Sequence, residues 1–210
     1  MGNLSGPAQA PPLPKSQLLR ILKRGKKLGM RKLLSMKRAN MQERLEYYKV
    51  NAEKYRDCVV GFMSTHQKMM QDNILELCNE QNVNPNSLAA GLQSHMMDPE
   101  VHELMVSFQT MSGDLCENQP IPEEFDNIEK LKEGLRIQVR ELAAYPINDN
   151  ISSILAQTAV CDEVFKIMGM DEITFSALAI KHERSTDPEL RELKEEWNKA
   201  AKFDLSMGRN

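Results

Sequence analysis

The sequence predicts an all-α protein: a helical bundle that contains a long antiparallel hairpin and is led by a basic N-terminal helical arm. Three observations carry this expectation. Aromatic residues make up only 5% of the chain, while Met reaches 14. That mix suits packed helices, because strands favour aromatic and β-branched residues. Apolar residues recur at steps of three and four through most of the 210 residues. Helix starts are written as Asn or Asp just before Pro, at Asn84-Pro85, Asp98-Pro99 and Asp187-Pro188.

Along the chain, residues 1–14 (MGNLSGPAQAPPLP) carry four Pro and no charge, and read as a flexible tail. Gly2 meets the first need of a myristoylation signal, but Gly6 stands where Ser or Thr is wanted. Residues 15–38 read as a basic amphipathic helix. On a helical wheel Leu18, Leu22, Leu33 and Met36 gather on one side, flanked by Leu19, Ile21 and Leu28. Arg20, Lys23, Arg24, Lys27, Arg31 and Arg38 occupy the other side, while Lys26 and Lys32 intrude on the apolar face. Gly25 and Gly29 weaken the free helix by about 1 kcal/mol each relative to Ala.

From Met41 the apolar positions Leu45, Tyr48, Ala52, Tyr55, Val59 and Phe62 alternate steps of four and three, a heptad seam. It resumes out of phase at Met70, Ile74 and Leu77, so one long helix is expected over 40–80, with any interruption near Gly61. A helix to about Met97 follows Pro85, and another follows Pro99 and stops at Ser112-Gly113. Residues 113–121 then read as an acidic loop holding Cys116. A helix from Pro122 to about Ala144 carries the seam Phe125, Ile128, Leu131, Leu135, Val139 and Leu142. Helices over 150–168, from Asp171 to about Glu183, and from Pro188 complete the body, with Gly169 as a C-terminal stop. The expected division is thus a tail (1–14), the basic helix (15–38), an acidic helical body (39–203, in halves 39–113 and 122–203) and a frayed tail (204–210). The segments MDPEVHELMVSF (97–108) and TDPELRELKEEW (186–197) echo one another, which is either an old duplication or two uses of one good helix start.

Charge is distributed unevenly. The net value of −3 hides ten Lys or Arg before the first acid, Glu43, with all 30 Asp and Glu lying from there onward. Such a basic segment beside an acidic body implies either an anionic partner or a fold back onto the body. No apolar run reaches the 18 or so residues that span a bilayer, and the start lacks a secretory apolar region. Cys58, Cys78, Cys116 and Cys161 show no CxxC spacing, so a disulfide framework or zinc site is not expected, and a reducing, cytoplasmic compartment is. No GxGxxG, P-loop, nucleophile elbow or HExxH occurs. His66, His95, His102 and His182 form no ligand pattern. Neither catalytic residues nor a metal or other cofactor is expected, and no small-molecule substrate is evident. The Met pairs 69-70 and 96-97, with Met63, Met105 and Met111, read as core filling or as an adaptable binding surface.

LEYYKVNAEKY (45–55), ILELCNEQNVNPNSLAAG (74–91) and HELMVSF (102–108) resemble the helical hairpin of the ESCRT-II core subunits of endosomal sorting, over about residues 15–112. In that family two winged-helix domains follow the hairpin; here 122–203 reads as nearly continuous helix. The resemblance implies lipid attraction for the basic helix.

The expected function is therefore a non-enzymatic assembly subunit or adaptor in membrane trafficking. Its body docks protein partners. Its basic helix contacts an anionic surface through Arg20, Lys23, Arg24, Lys27, Arg31 and Arg38, and a partner through Leu18, Ile21, Leu22, Leu28 and Leu33. The alternatives are a nucleic-acid-associated or nuclear factor using Lys23-Arg24-Gly25-Lys26-Lys27, a calmodulin target with Ile21, Leu28 and Leu34 at 1-8-14 spacing, and a mitochondrial presequence.

Overall fold

The computed structural model describes residues 10–109, 111–117, 119–145, 147 and 149–201. The expected tails up to residue 9 and over 204–210, with the Gly2 motif, lie outside them. The described chain is all-α, without a strand: α1 (Lys15–Tyr47), α2 (Ala52–Glu80), α3 (Pro85–His95), α4 (Pro99–Gln109), α5 (Met111–Glu117), α6 (Ile128–Leu142), α7 (Asn150–Met168), α8 (Glu172–Lys181) and α9 (Pro188–Ala200). Two compact units result, Met1–Lys37 with Met63–Ser112, and Arg38–Phe62 with Gly113–Asn210. α1 and α2 each give one part to each unit, a grouping that the loops between 39–113 and 122–203 do not announce.

Five helix starts follow their capping chemistry. Asn84, Asp98, Asp149, Asp171 and Asp187 each accept a backbone N–H of the first turn that follows. Gly169 ends α7 at φ 73, in the left-handed region that suits glycine. Three expectations are corrected. The single helix over 40–80 is broken at residues 48–51, where Lys49 adopts φ 60, and nothing interrupts α2 at Gly61. The Lys49 ammonium is held by Glu141 (3.1 Å) and Glu163 (2.9 Å), so contacts distant in sequence fix the turn. Asn51 then caps α2 by accepting the Lys54 N–H. The helix expected from Pro122 begins at Ile128, capped by Asn127, after turns at 122–127. The loop expected at 113–121 is partly helical, because Leu115 and Cys116 of α5 are buried.

In the first unit, α1 and α2 run antiparallel. A side chain at Gly25 would meet Leu77 and Phe108, and one at Gly29 would meet Met70 and Met111. Its core gathers Leu18, Leu19, Ile21 and Leu22 of α1 with Leu77 and Cys78 of α2, Leu88 of α3 and Val101 of α4. Leu13 joins them, its N–H donating to the Ser87 carbonyl. A Cβ at Gly91 would lie 2.9 Å from the Leu13 Cβ and 3.1 Å from its nitrogen, so α3 keeps a glycine where the incoming chain crosses it.

In the second unit, α6 packs on α7, α8 and α9. Leu131, Leu135 and Ile137 meet Val164, Phe175, Leu178, Leu190 and Leu193. Gly134 faces Phe175 so closely that a Cβ there would overlap the ring. The ammonium of buried Lys132 meets Asp187 (2.9 Å), Glu129 (3.0 Å) and Glu189 (3.2 Å), which raise its pKa above the ordinary lysine range. Lys15 meets Asp98 (2.6 Å) and Glu100 (3.7 Å) in the first unit. In each echoed Asp-Pro-Glu helix start, one lysine thus meets both carboxylates.

Beside α7, the end of α1 and the start of α2 bury Tyr48, Tyr55 and Val59 against Ala159. Under them the Arg44 guanidinium donates twice from Nε (2.9 and 3.0 Å) and once from Nη2 (2.9 Å) to the Asp162 carboxylate. Tyr55 donates its hydroxyl to the same carboxylate at 2.8 Å, and Asn40 accepts from Arg44. The Arg44 and Asp162 side chains are 5% and 1% exposed. Burial, then the Asp162 charge, hold the Tyr55 hydroxyl protonated.

Gly134→Ala and Gly91→Ala each lower stability by about 1–3 kcal/mol through overpacking. Gly61→Ala, with open space around it, raises stability by up to about 1 kcal/mol; urea unfolding of the three variants checks the order. For the buried pair, Arg44→Met alone costs about 3–5 kcal/mol, because Asp162 is left charged without its partner. Arg44→Met with Asp162→Leu costs far less than the two singles summed, which a double-mutant cycle measures.

Candidate functional site: a cationic ridge on α1

The geometry of α1 decides what its two faces can do. Leu18, Ile21, Leu22 and Leu33 are at most 1% exposed, and Leu28 is half-buried. The expectation that this face holds a partner is corrected: the protein's own α2, α3 and α4 already cover its first half. Of the two readings left open for the basic segment, its apolar side folds onto helices of its own unit. Gly25 and Gly29, costly in an isolated helix, lie on the buried side and admit neighbouring side chains. Burying four Leu and Ile side chains contributes about 6–12 kcal/mol as an upper estimate, enough to offset the two glycines several times over.

One of the lysines that intrude on this face is met by polar groups of α2. Lys32 donates to the buried Asn73 at 2.6 Å and to Glu76 at 3.0 Å. At the rim Lys23 pairs with Glu100 (2.9 Å) and Arg24 with Glu80 (3.1 Å). Two of the six expected anion-binding residues are thus shared with carboxylates of the same unit. The other four, Arg20, Lys27, Arg31 and Arg38, are exposed and make no ion pair with a described residue. At 3.6 residues per turn, Arg20, Arg24, Lys27 and Arg31 fall within about 60° of one another over about 16 Å of helix. They form one straight ridge in the first unit. Arg38 belongs to the second unit.

Such a ridge attracts anions without any apolar insertion. The 1-8-14 apolar pattern has its first member, Ile21, fully buried, so a calmodulin-type grip would have to strip α1 from its core. The Met residues divide: Met111 is buried, whereas Met63, Met96, Met97 and Met105 are exposed, Met97 at 91%. Among the described residues no group of three or more His, Cys, Asp or Glu can hold a metal ion, and no helix is long and apolar enough to cross a membrane. No protein-family model, curated protein or solved structure matches this chain. Sequence reasoning missed the carboxylates that meet Lys15, Lys23, Arg24 and Lys32. Their one trace was the run of Glu76, Glu80, Asp98 and Glu100 on helices following the basic one.

The rim ion pairs titrate. Lys15 depresses the Asp98 carboxyl pKa and Lys23 that of Glu100. Groups with depressed folded values contribute stability above the ordinary carboxyl range, about pH 4, and lose it as pH falls through the folded values. Lys15, raised by Asp98, keeps its contribution until well into the alkaline range. Thermal unfolding should therefore show Lys15→Gln/Lys23→Gln less stable than the parent at pH 7, with the difference shrinking towards pH 3.

Proposed function

We propose that the protein is a non-enzymatic helical assembly subunit or adaptor that rests on an anionic membrane surface through the α1 ridge. One observation carries this reading: the apolar face of α1 is buried within its own unit while Arg20, Lys27 and Arg31 stay exposed and make no ion pair with a described residue. The contact is electrostatic, with the helix lying on the surface and not in it. The likeness of residues 15–112 to the ESCRT-II hairpin supports the same use of a basic helix and a place in membrane trafficking. Exposed Met63, Leu75, Met96, Met97 and Met105 support docking of protein partners by the first unit. The cytoplasmic leaflet, which carries the anionic lipid, is the matching compartment. Nucleic acid is the weaker alternative because no aromatic side chain interleaves the ridge for bases to stack on.

Co-sedimentation of the full chain with phosphatidylcholine vesicles, with and without phosphatidylserine, tests this. Binding is expected only with the anionic lipid, and it weakens as salt rises. Arg20→Gln/Lys27→Gln/Arg31→Gln removes about 1 kcal/mol per cation, close to a hundredfold in affinity. Equal binding to neutral vesicles, or a triple variant that binds like the parent, contradicts the reading. So does binding to duplex DNA in preference to the anionic vesicles.

A further inference from the structure

The second unit holds a half-open cavity of about 550 Å³ at the turn between α1 and α2. It is lined by Tyr48, Tyr55, Tyr145, Val50, Ala52 and Leu155, with Lys49, Arg56 and Ser152 as its polar members. The volume lies within the range of about 300–1,000 Å³ usual for small-molecule sites, as does the pairing of apolar walls with few polar groups.

The turn that shapes this cavity is held open by its surroundings. Lys49 adopts φ 60, a left-handed conformation uncommon for a residue with a side chain. Its ammonium is anchored by Glu141 and Glu163 and lies 5.2 Å from the Tyr48 ring centroid, while Lys166 lies 4.7 Å from the same ring. Tyr48 and Tyr55 stand with ring centroids 5.5 Å apart. The pinned turn leaves Val50 82% exposed at the cavity's edge. An apolar side chain fixed in water beside an aromatic-lined cavity gains by contact with an apolar ligand.

The polar groups at the edge are not equivalent. Lys49 is committed to two carboxylates. The Ser152 hydroxyl donates to the Asp149 carbonyl and accepts the Asp149 N–H. Asp149, whose carboxylate feels the Arg56 charge, already accepts the Ser152 N–H at 2.6 Å as the cap of α7. Arg56 is exposed and makes no ion pair with a described residue. Of these three polar side chains, it is the one with its donor fork unspent, and a guanidinium fork matches a carboxylate.

We infer that this cavity is a binding site for a small monocarboxylate with an apolar, ring-sized body, seated among Tyr48, Tyr55 and Tyr145 with its carboxylate on Arg56. Every residue of this site belongs to the second unit.

Naphthalene-1-acetate and its neutral amide, naphthalene-1-acetamide, are the probes, titrated into the ¹⁵N-labelled full chain and followed by amide shifts. The acid is expected to move the signals of residues 48–56 and 145–155, and to bind about tenfold more tightly than the amide through its charged hydrogen bonds. Arg56→Gln should bring the acid down to the affinity of the amide and leave the amide unchanged. Val50→Asp, a change at an exposed position that does not threaten the fold, should weaken the acid more than the amide. Ala52→Trp, which fills the site, should weaken both. Failure of both probes to bind the parent overturns the proposal, as does an acid-to-amide ratio unaltered by Arg56→Gln. If Ala52→Trp unfolds the protein, Val50→Asp decides, and equal acid affinity in it and the parent overturns the proposal.

Discussion

Leu18, Ile21, Leu22 and Leu33 turn one side of α1 into the core of the first unit, and Gly25 and Gly29 continue that side so that Met70 and Leu77 can approach. The other features of the basic segment follow from this burial. Once the apolar side is inside, the cations have only the rim and the outer face. On the rim they meet Asp98, Glu100, Glu80 and Glu76. On the outer face Arg20, Lys27 and Arg31 make no ion pair with a described residue. The order of magnitudes matters here: buried apolar area fixes the helix, while exposed ion pairs adjust its edges and contribute little.

The second unit solves a different problem. Two halves of long helices must be joined to a bundle organised by α6, and a charged group lies at the junction with α7. Arg44 is buried with a bidentate grip on Asp162, and Tyr55 donates a further hydrogen bond to the carboxylate oxygen that Arg44 Nε also meets. A buried ion pair of this kind adds little net stability but strongly penalises alternative arrangements that separate its members. It fixes which residues of α1, α2 and α7 face one another. Lys49, held by Glu141 and Glu163, does the same for the turn above it.

Much of the fold was legible because it is local. The caps at Asn84, Asp98, Asp149, Asp171 and Asp187 and the stop at Gly169 need only their neighbours in sequence. The break at 48–51 was not legible, because no Gly or Pro marks it and the groups that hold Lys49 lie 92 and 114 residues away. The Tyr48–Tyr55 step that continued the heptad pattern is a contact across that turn. Asp162 was hidden for the same reason, 118 residues from Arg44. The cationic stripe was legible from periodicity alone. Its apolar counterpart was misassigned because an amphipathic helix shows the same pattern whether it faces its own core or a foreign surface. The lysines met by Asp98, Glu100 and Glu76 show how a charge asymmetry along a chain becomes compensated in part when it folds.

α1 is an integral wall of the first unit, and native-state hydrogen exchange on the intact chain measures that most directly. Amides of Leu18 to Leu33 should open with the same free energy as those of Ile74 to Cys78, their partners in one cooperative unit. Exchange of the α1 amides several orders of magnitude faster than those of α2 would contradict it, because the basic helix would then be a detachable arm.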